Sequence, residues 1–112
     1  MLAMALTRKN PLTRAEFQLH WATKHAELGR RVPGSQGYRQ VHTDATLTEP
    51  ARSAVGVGNL DFDGVALAYY ADSAELRGIL ANPSIVEPLL EDERRFIDHE
   101  RSTLVVGRTP KG

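Results

Sequence analysis

Apolar side chains recur at helical spacing between residues 13 and 31, and the rest of the chain is arranged around this stretch. At about 100° per residue, one narrow sector of the helix holds Phe17, Trp21, Lys24 and Leu28. His25 lies about 40° from Trp21 on the same helical wheel. The stripe predicts one amphipathic helix whose apolar side packs against a partner element.

Local signals mark both ends of this helix. Thr13 and Glu16 have the spacing of a capping box, in which each side chain accepts a hydrogen bond from the other residue's amide. Leu12 and Phe17 are spaced for a hydrophobic staple. Residues 32–34 (Val-Pro-Gly) end the helix, because proline disfavours a helical residue before it and glycine allows the turn that follows. A strand is expected next.

Alternating or wholly apolar runs predict four strands, at residues 2–8, 37–43, 64–71 and 101–107. A capped helix is expected from Asp72 to about Ala81, and a second helical run covers residues 85–97. Residues 44–63 are rich in Thr, Ala and Gly, which predicts a long surface loop, mobile without ligand and able to act as a lid.

The resulting order is strand, helix, strand, strand, helix, strand. This is a ferredoxin-like α+β arrangement with a four-stranded antiparallel sheet, in a single domain of residues 1–112. The helices cover one face of the sheet and leave the other bare. Since that other face is also apolar, we expect a second copy of the chain to bury it in a homodimer.

The amino-acid composition argues against several classes of binding partner. Fourteen basic and fourteen acidic residues give a formal charge of zero and a pI near 6.9, so no overall field attracts nucleic acid or an anionic membrane. There is no cysteine for disulfides or thiolate chemistry. The first charge, Arg8, comes too early for a secretory leader, and no apolar run approaches the ~20 residues that span a bilayer. A cytoplasmic protein is expected.

His25 is the strongest candidate for chemistry, because a neutral imidazole beside the Trp21 indole can exchange a proton near neutral pH. Tyr38, Gln40 and His42 share one face of the second predicted strand. Such a row of polar side chains indicates either a lined cavity or a solvated strand end, and the sequence leaves both open.

Other residues give weaker signals. Tyr69 and Tyr70 point to opposite faces of the third strand, so one of them should face the helices, with core packing as the ordinary role. His20 and His25 are five residues apart, whereas a helical metal site uses a spacing of four. No glycine-rich phosphate loop has the flanking strand and helix that it needs. We therefore expect no metal and no cofactor, and residues 91–95 fit a solvated helix face.

Three stretches resemble the EthD-like family. Residues 10–43 (NPLTRAEFQLHWATKHAELGRRVPGSQGYRQVHT) resemble its opening half, where a capped helix carrying an aromatic residue and a histidine leads through a Pro-Gly turn into a strand with Tyr and His. Residues 62–76 (FDGVALAYYADSAEL) and 92–98 (DERRFID) resemble its second half. The resemblance implies a dimeric α+β barrel, with two four-stranded sheets back to back. It also implies a site in the cleft between helices and sheet, at Trp21, His25, Tyr38 and His42.

The same resemblance frames the function. Members of the family are similar to proteins of ethyl tert-butyl ether degradation clusters and to small lyases, isomerases, cyclases and cofactor-free oxygenases. Our first hypothesis is a small cofactor-independent enzyme that acts on a hydrophobic cyclic or aromatic metabolite by proton transfer, with His25 as general acid or base and Tyr38 or His42 as polar partner. Contacts to the substrate are expected from Phe17, Trp21, Gln40 and Tyr69. The alternative is a non-catalytic accessory protein that holds such a ligand in ether degradation.

Overall fold

Helices cover one side of a four-stranded sheet in this protein, and the computed structural model describes residues 1–33, 35–58 and 61–110. In chain order the elements are β1 (Leu2–Leu6), α1 (Arg14–His20), a π-helical turn (Trp21–His25), α2 (Ala26–Arg30), β2 (Ser35–His42), α3 (Ala45–Val55), β3 (Gly64–Tyr70), α4 (Ser73–Leu80), α5 (Pro83–Phe96), a short 3-10 turn (His99–Arg101) and β4 (Thr103–Val106). Within these described ranges, no helix is long and apolar enough to cross a membrane.

The sheet has the strand order β2-β3-β1-β4, and every neighbouring pair is antiparallel. This is the predicted ferredoxin-like α+β arrangement. Cross-strand pairing aligns Met4 of β1 with Ala66 of β3, and both face the helices. Because side chains alternate along a strand, Val65 and Leu67 point to the opposite, uncovered face.

The predicted first helix begins at its capping box but is not α-helical throughout. The Thr13 hydroxyl accepts a hydrogen bond from the Glu16 amide at 3.1 Å, and the Glu16 carboxylate accepts one from the Thr13 amide at 2.9 Å. Regular α-helix ends at His20, and the next turn is π-helical, with the Ala26 amide donating to the Trp21 carbonyl five residues back. The predicted helix is therefore present from residue 14 to residue 30, but its middle turn is π-helical and not α-helical.

The expected loop of residues 44–63 is also wrong over much of its length, since Ala45–Val55 form α3. The Asp44 side chain caps the helix by accepting from the Thr46 amide at 3.0 Å. Gly56 ends it with φ of 72°, a left-handed conformation that glycine adopts without strain. Residues 59 and 60 of the predicted loop lie outside the described residues.

The core lies where α1 and α5 meet β1. It consists of aromatic and aliphatic side chains that are almost completely buried: Leu6, Phe17, Trp21, Phe96 and Ile97. The Phe17 ring centroid lies 5.6 Å from that of Trp21 and 5.3 Å from that of Phe96. Leu12 packs against this cluster, as expected of a residue just before the helix cap. The two helices are thereby fixed relative to each other.

A buried carboxylate anchors the chain beside the core. Asp63 accepts hydrogen bonds from the Arg8 amide at 2.7 Å and from Arg14 Nε at 2.9 Å, and it also pairs with the Arg8 guanidinium. Burial alone would raise the pKa of Asp63, but the hydrogen bonds from the two arginines outweigh it and hold the pKa below its ordinary value. The carboxylate thus fixes the entry to β3.

Candidate active site

A cavity of about 290 Å³ lies between the helices and the covered face of the sheet. Its walls are mainly aliphatic, from Leu, Val, Ile, Met and Ala side chains of β1, β3, α4 and α5. Five side chains with ionisable groups also line it: His25, Tyr38, Tyr70, Glu93 and His99. The volume is about twice that of the ~150 Å³ apolar cavity known to hold benzene, so the space suits a ligand of roughly two rings.

The π-helical turn brings two histidines onto one carboxylate. At about 100° per residue, positions five apart on a regular α-helix lie about 140° apart. A turn closed by a hydrogen bond five residues back holds more residues, which brings such positions closer together around the helix. His20 Nε2 lies 3.0 Å and His25 Nδ1 lies 2.9 Å from the two oxygens of Asp92. In the sequence, the spacing of these two histidines offered no reason to pair them, and the tertiary structure brings both onto Asp92.

Asp92 orients the His25 ring. The carboxylate is 5% exposed and accepts the Nδ1 proton, so Nε2 of the neutral ring carries the lone pair. Nε2 lies 3.8 Å from a Glu93 oxygen, and the other Glu93 oxygen is 3.0 Å from His99 Nε2. An imidazole held this way by a carboxylate can act as a general base, because the carboxylate stabilises the imidazolium that forms.

The Tyr38 hydroxyl supplies a second polar group to the cavity. It accepts hydrogen bonds from Trp21 Nε1 at 3.2 Å and from Gln40 Nε2 at 3.0 Å, which occupies both oxygen lone pairs. Its own proton remains available for a ligand oxygen. Burial raises the pKa of Tyr38, and the two hydrogen bonds only partly offset this. The phenol therefore stays protonated and serves as a hydrogen-bond donor.

Gln40 and His42, predicted as substrate contact and catalytic partner, do not line the cavity. The Trp21 indole lines the cavity and stacks on the His42 ring, with centroids 4.7 Å apart. His42 Nε2 donates to the Gln40 oxygen at 2.8 Å, since that oxygen can only accept. Burial lowers the pKa of His42, which keeps the ring neutral. Of the three polar side chains on this face of β2, only Tyr38 lines the cavity.

Two other predicted substrate contacts also lie elsewhere. Phe17 is fully buried in the core and is not among the side chains that line the cavity. Tyr69 pairs with Gly37 and points to the uncovered face of the sheet, whereas Tyr70 lines the cavity. The strand register decided which of the two tyrosines faces the helices. Trp21, another predicted substrate contact, lines the cavity.

The sequence analysis missed Asp92, Glu93 and His99. The first two belong to the charged run that was assigned to a solvated helix face, yet Asp92 is buried and Glu93 is half-buried. One signal was present, since Glu93 falls on the apolar stripe of α5. Among the residues that the structure describes, no group of three or more His, Asp or Glu side chains could hold a metal ion.

Comparison with known proteins places this chain in a family. The family model for the EthD domain matches residues 9–100. An ethyl tert-butyl ether (EthD) family protein from Bacillus halodurans C-125 shares 20% identity and a TM-score of 0.71, with 97% of each chain covered. SnoaB, a cofactor-independent oxygenase from Streptomyces nogalater that was solved as a mutant, shares 21% identity and a TM-score of 0.58, with 97% of this chain and 92% of that chain covered. No curated protein sequence matches. The match over residues 9–100 shows that this chain belongs to the EthD domain family.

Proposed function

We propose that this protein is a small enzyme that moves a proton on a hydrophobic cyclic or aromatic metabolite, without a bound cofactor. The observation that carries the proposal is the His25–Asp92 pair, which leaves His25 Nε2 as a base at an apolar cavity. Membership of the EthD family supports a small-molecule ligand in this cleft. The reaction class is lyase, isomerase or cyclase chemistry.

Each polar residue at the cavity has its own role in such a reaction. His25 Nε2 takes a proton from a carbon or hydroxyl of the substrate, and the Tyr38 hydroxyl donates to the oxygen where negative charge develops. Asp92 and Glu93 face the imidazolium that results. The proton then returns to a different substrate atom in an isomerase or cyclase, or departs with the leaving group in a lyase. The aliphatic walls exclude water, which strengthens each of these interactions.

Deuterium transfer tests the proposal without knowledge of the natural substrate. The protein is incubated in D₂O with one- and two-ring cyclic ketones and phenols, and deuterium in each compound is followed by mass spectrometry. We expect incorporation with at least one compound and a loss of about 10²–10⁴ in rate for His25→Asn, the usual share of a general base. Lys24→Asn, an exposed neighbour on the same turn, serves as the matched control.

Ligand binding is measured in parallel through Trp21, the only tryptophan of the chain. The indole lines the cavity, so an aromatic ligand should change its emission. Emission changes without deuterium transfer from any compound would favour the alternative, an accessory protein of ether degradation that holds a metabolite for another enzyme. Indifferent emission across the whole panel would count against a ligand cleft altogether.

We also infer that two copies pair through the uncovered face of the sheet as a dimeric α+β barrel. Several of the side chains on this face are aliphatic, and Val41 and Val105 are 50% and 65% exposed in the single chain. An apolar sheet face of this kind marks an interaction surface. A second copy presents the same face, so the contact is self-complementary about a two-fold axis.

A further inference from the structure

The π-helical turn in the first helix changes the hydrogen-bond partner of one backbone carbonyl. In a regular α-helix the Trp21 carbonyl would accept from the His25 amide four residues later. Here it accepts from the Ala26 amide instead, five residues later. A π-helical turn is rare, and here the Trp21 carbonyl also accepts a hydrogen bond from a side chain outside the helix.

That side chain comes from β2. Gln40 Nε2 donates to the Trp21 carbonyl at 2.8 Å and to the Tyr38 hydroxyl at 3.0 Å. Its oxygen accepts from His42 at 2.8 Å, which fixes the orientation of the carboxamide. Both ends of the amide are therefore engaged inside the protein, and the side chain extends from a paired strand that cannot easily move.

We propose that Gln40 is a positioning residue, whose hydrogen bond to the Trp21 carbonyl keeps the helix π-wound and thereby holds His25 on Asp92. Without the π-helical turn, His20 and His25 would diverge by about 140° around the helix and could not share one carboxylate. The same carboxamide occupies a lone pair of Tyr38 and helps turn its proton toward the cavity. The inference rests on the proposed function in taking His25 as the base.

Two variants separate the contributions of Gln40. Gln40→Met keeps the length of the side chain and removes both its donor and its acceptor. Gln40→Glu keeps the shape and the oxygen for His42, but a carboxylate cannot donate to the Trp21 carbonyl. The matched control is Gln18→Met, because Gln18 Nε2 also donates from the helix to backbone carbonyls, those of Thr43 at 3.1 Å and Asp63 at 3.3 Å. The Gln18 side chain makes no hydrogen bond to the π-helical turn.

The measurement is NMR of protein with ¹⁵N-labelled histidine, assigned with His25→Asn. A hydrogen-bonded Nδ1 proton reports the His25–Asp92 contact, and hydrogen exchange of the Ala26 amide reports the π-helical bond. We expect both Gln40 variants to lose the Nδ1 proton signal and to exchange the Ala26 amide faster, while Gln18→Met keeps both. Where wild type transfers deuterium, Gln40→Met should slow it by about 10²-fold, the effect of misplacing a catalytic group by 1 Å.

The inference is overturned if folded Gln40→Met retains the His25 Nδ1 signal and the protected Ala26 amide, or if Gln18→Met loses them equally. Should Gln40→Met fail to fold, as judged by circular dichroism, Gln40→Glu decides by the same two signals. These signals need no substrate. Absence of deuterium transfer in wild type would therefore refute the proposed function, while the NMR result would still decide the role of Gln40.

Discussion

Among the glycines that the structure describes, Gly64 leaves the least room for a side chain, at the start of β3 against the Trp21 indole. A Cβ placed there would overlap Trp21 Cζ3 and would lie 2.8 Å from both Trp21 Cη2 and the Val41 carbonyl oxygen. Carbon atoms normally pack at roughly 3.5–4.0 Å. Trp21 is fully buried and the Val41 oxygen is backbone in a paired strand, so neither can yield cheaply.

Gly64→Ala should therefore destabilise the protein by about 3 kcal/mol, the upper end of the usual range for overpacking a core. The matched control is Gly78→Ala in α4, where a Cβ would meet nothing within 4 Å. That substitution should stabilise the protein by up to about 1 kcal/mol, because alanine favours the helix over glycine. The two alanine variants are expected to differ in sign.

Urea denaturation at one fixed protein concentration measures both variants, with Trp21 emission as the probe. The emission spectrum of folded Gly64→Ala should also differ from that of wild type, because the indole must move. If Gly64→Ala changes the free energy of unfolding by less than about 0.5 kcal/mol and leaves the emission spectrum unchanged, the close packing of Trp21 on β3 is refuted. The geometry of the π-helical turn would then need to be reconsidered as well.

Three further expectations follow from individual contacts. Tyr38→Phe leaves the buried Trp21 N–H without its acceptor and should cost about 1–3 kcal/mol in urea denaturation; a neutral result would mean that this hydrogen bond does not form. Asp63→Asn should lose about 1.5–3 kcal/mol at neutral pH, the range for hydrogen bonds to a charged group. Because folding lowers the pKa of Asp63, its contribution to stability is present above the ordinary Asp pKa near 4 and is lost as pH falls through the folded value. The free energy of unfolding of the variant should therefore fall less steeply at acid pH than that of wild type. An equally steep fall would contradict this role of Asp63. The mass of wild type in sedimentation should be about twice the 12.4 kDa of one chain. Leu67→Lys on the uncovered sheet face should give monomers, whereas Leu19→Lys on the exposed side of α1 should leave the dimer intact. A monomeric wild type would refute the dimer proposal.

The sequence by itself determined the features that depend on near neighbours in the chain. The capping box at Thr13 and Glu16 is closed by groups three residues apart, and the strands follow from alternation along single segments. The order of these elements was enough to predict the ferredoxin-like sheet. Helix α3 was within reach as well, since Asp44 and Gly56 are ordinary signals for its two ends, and the small residues between them were given too much weight.

Only the tertiary structure decided the composition of the site. The π-helical turn depends on Gln40, which comes from β2 and reaches a carbonyl of the helix 19 residues earlier in the chain. Asp92 became the partner of His25 across a separation of 67 residues, although its own neighbours suggested a solvated charge. A helical wheel assumes one constant rotation per residue, so it cannot anticipate a turn that a side chain from another element holds open. The pairing of two histidines on one carboxylate is therefore a property of the packed fold and not of any single segment.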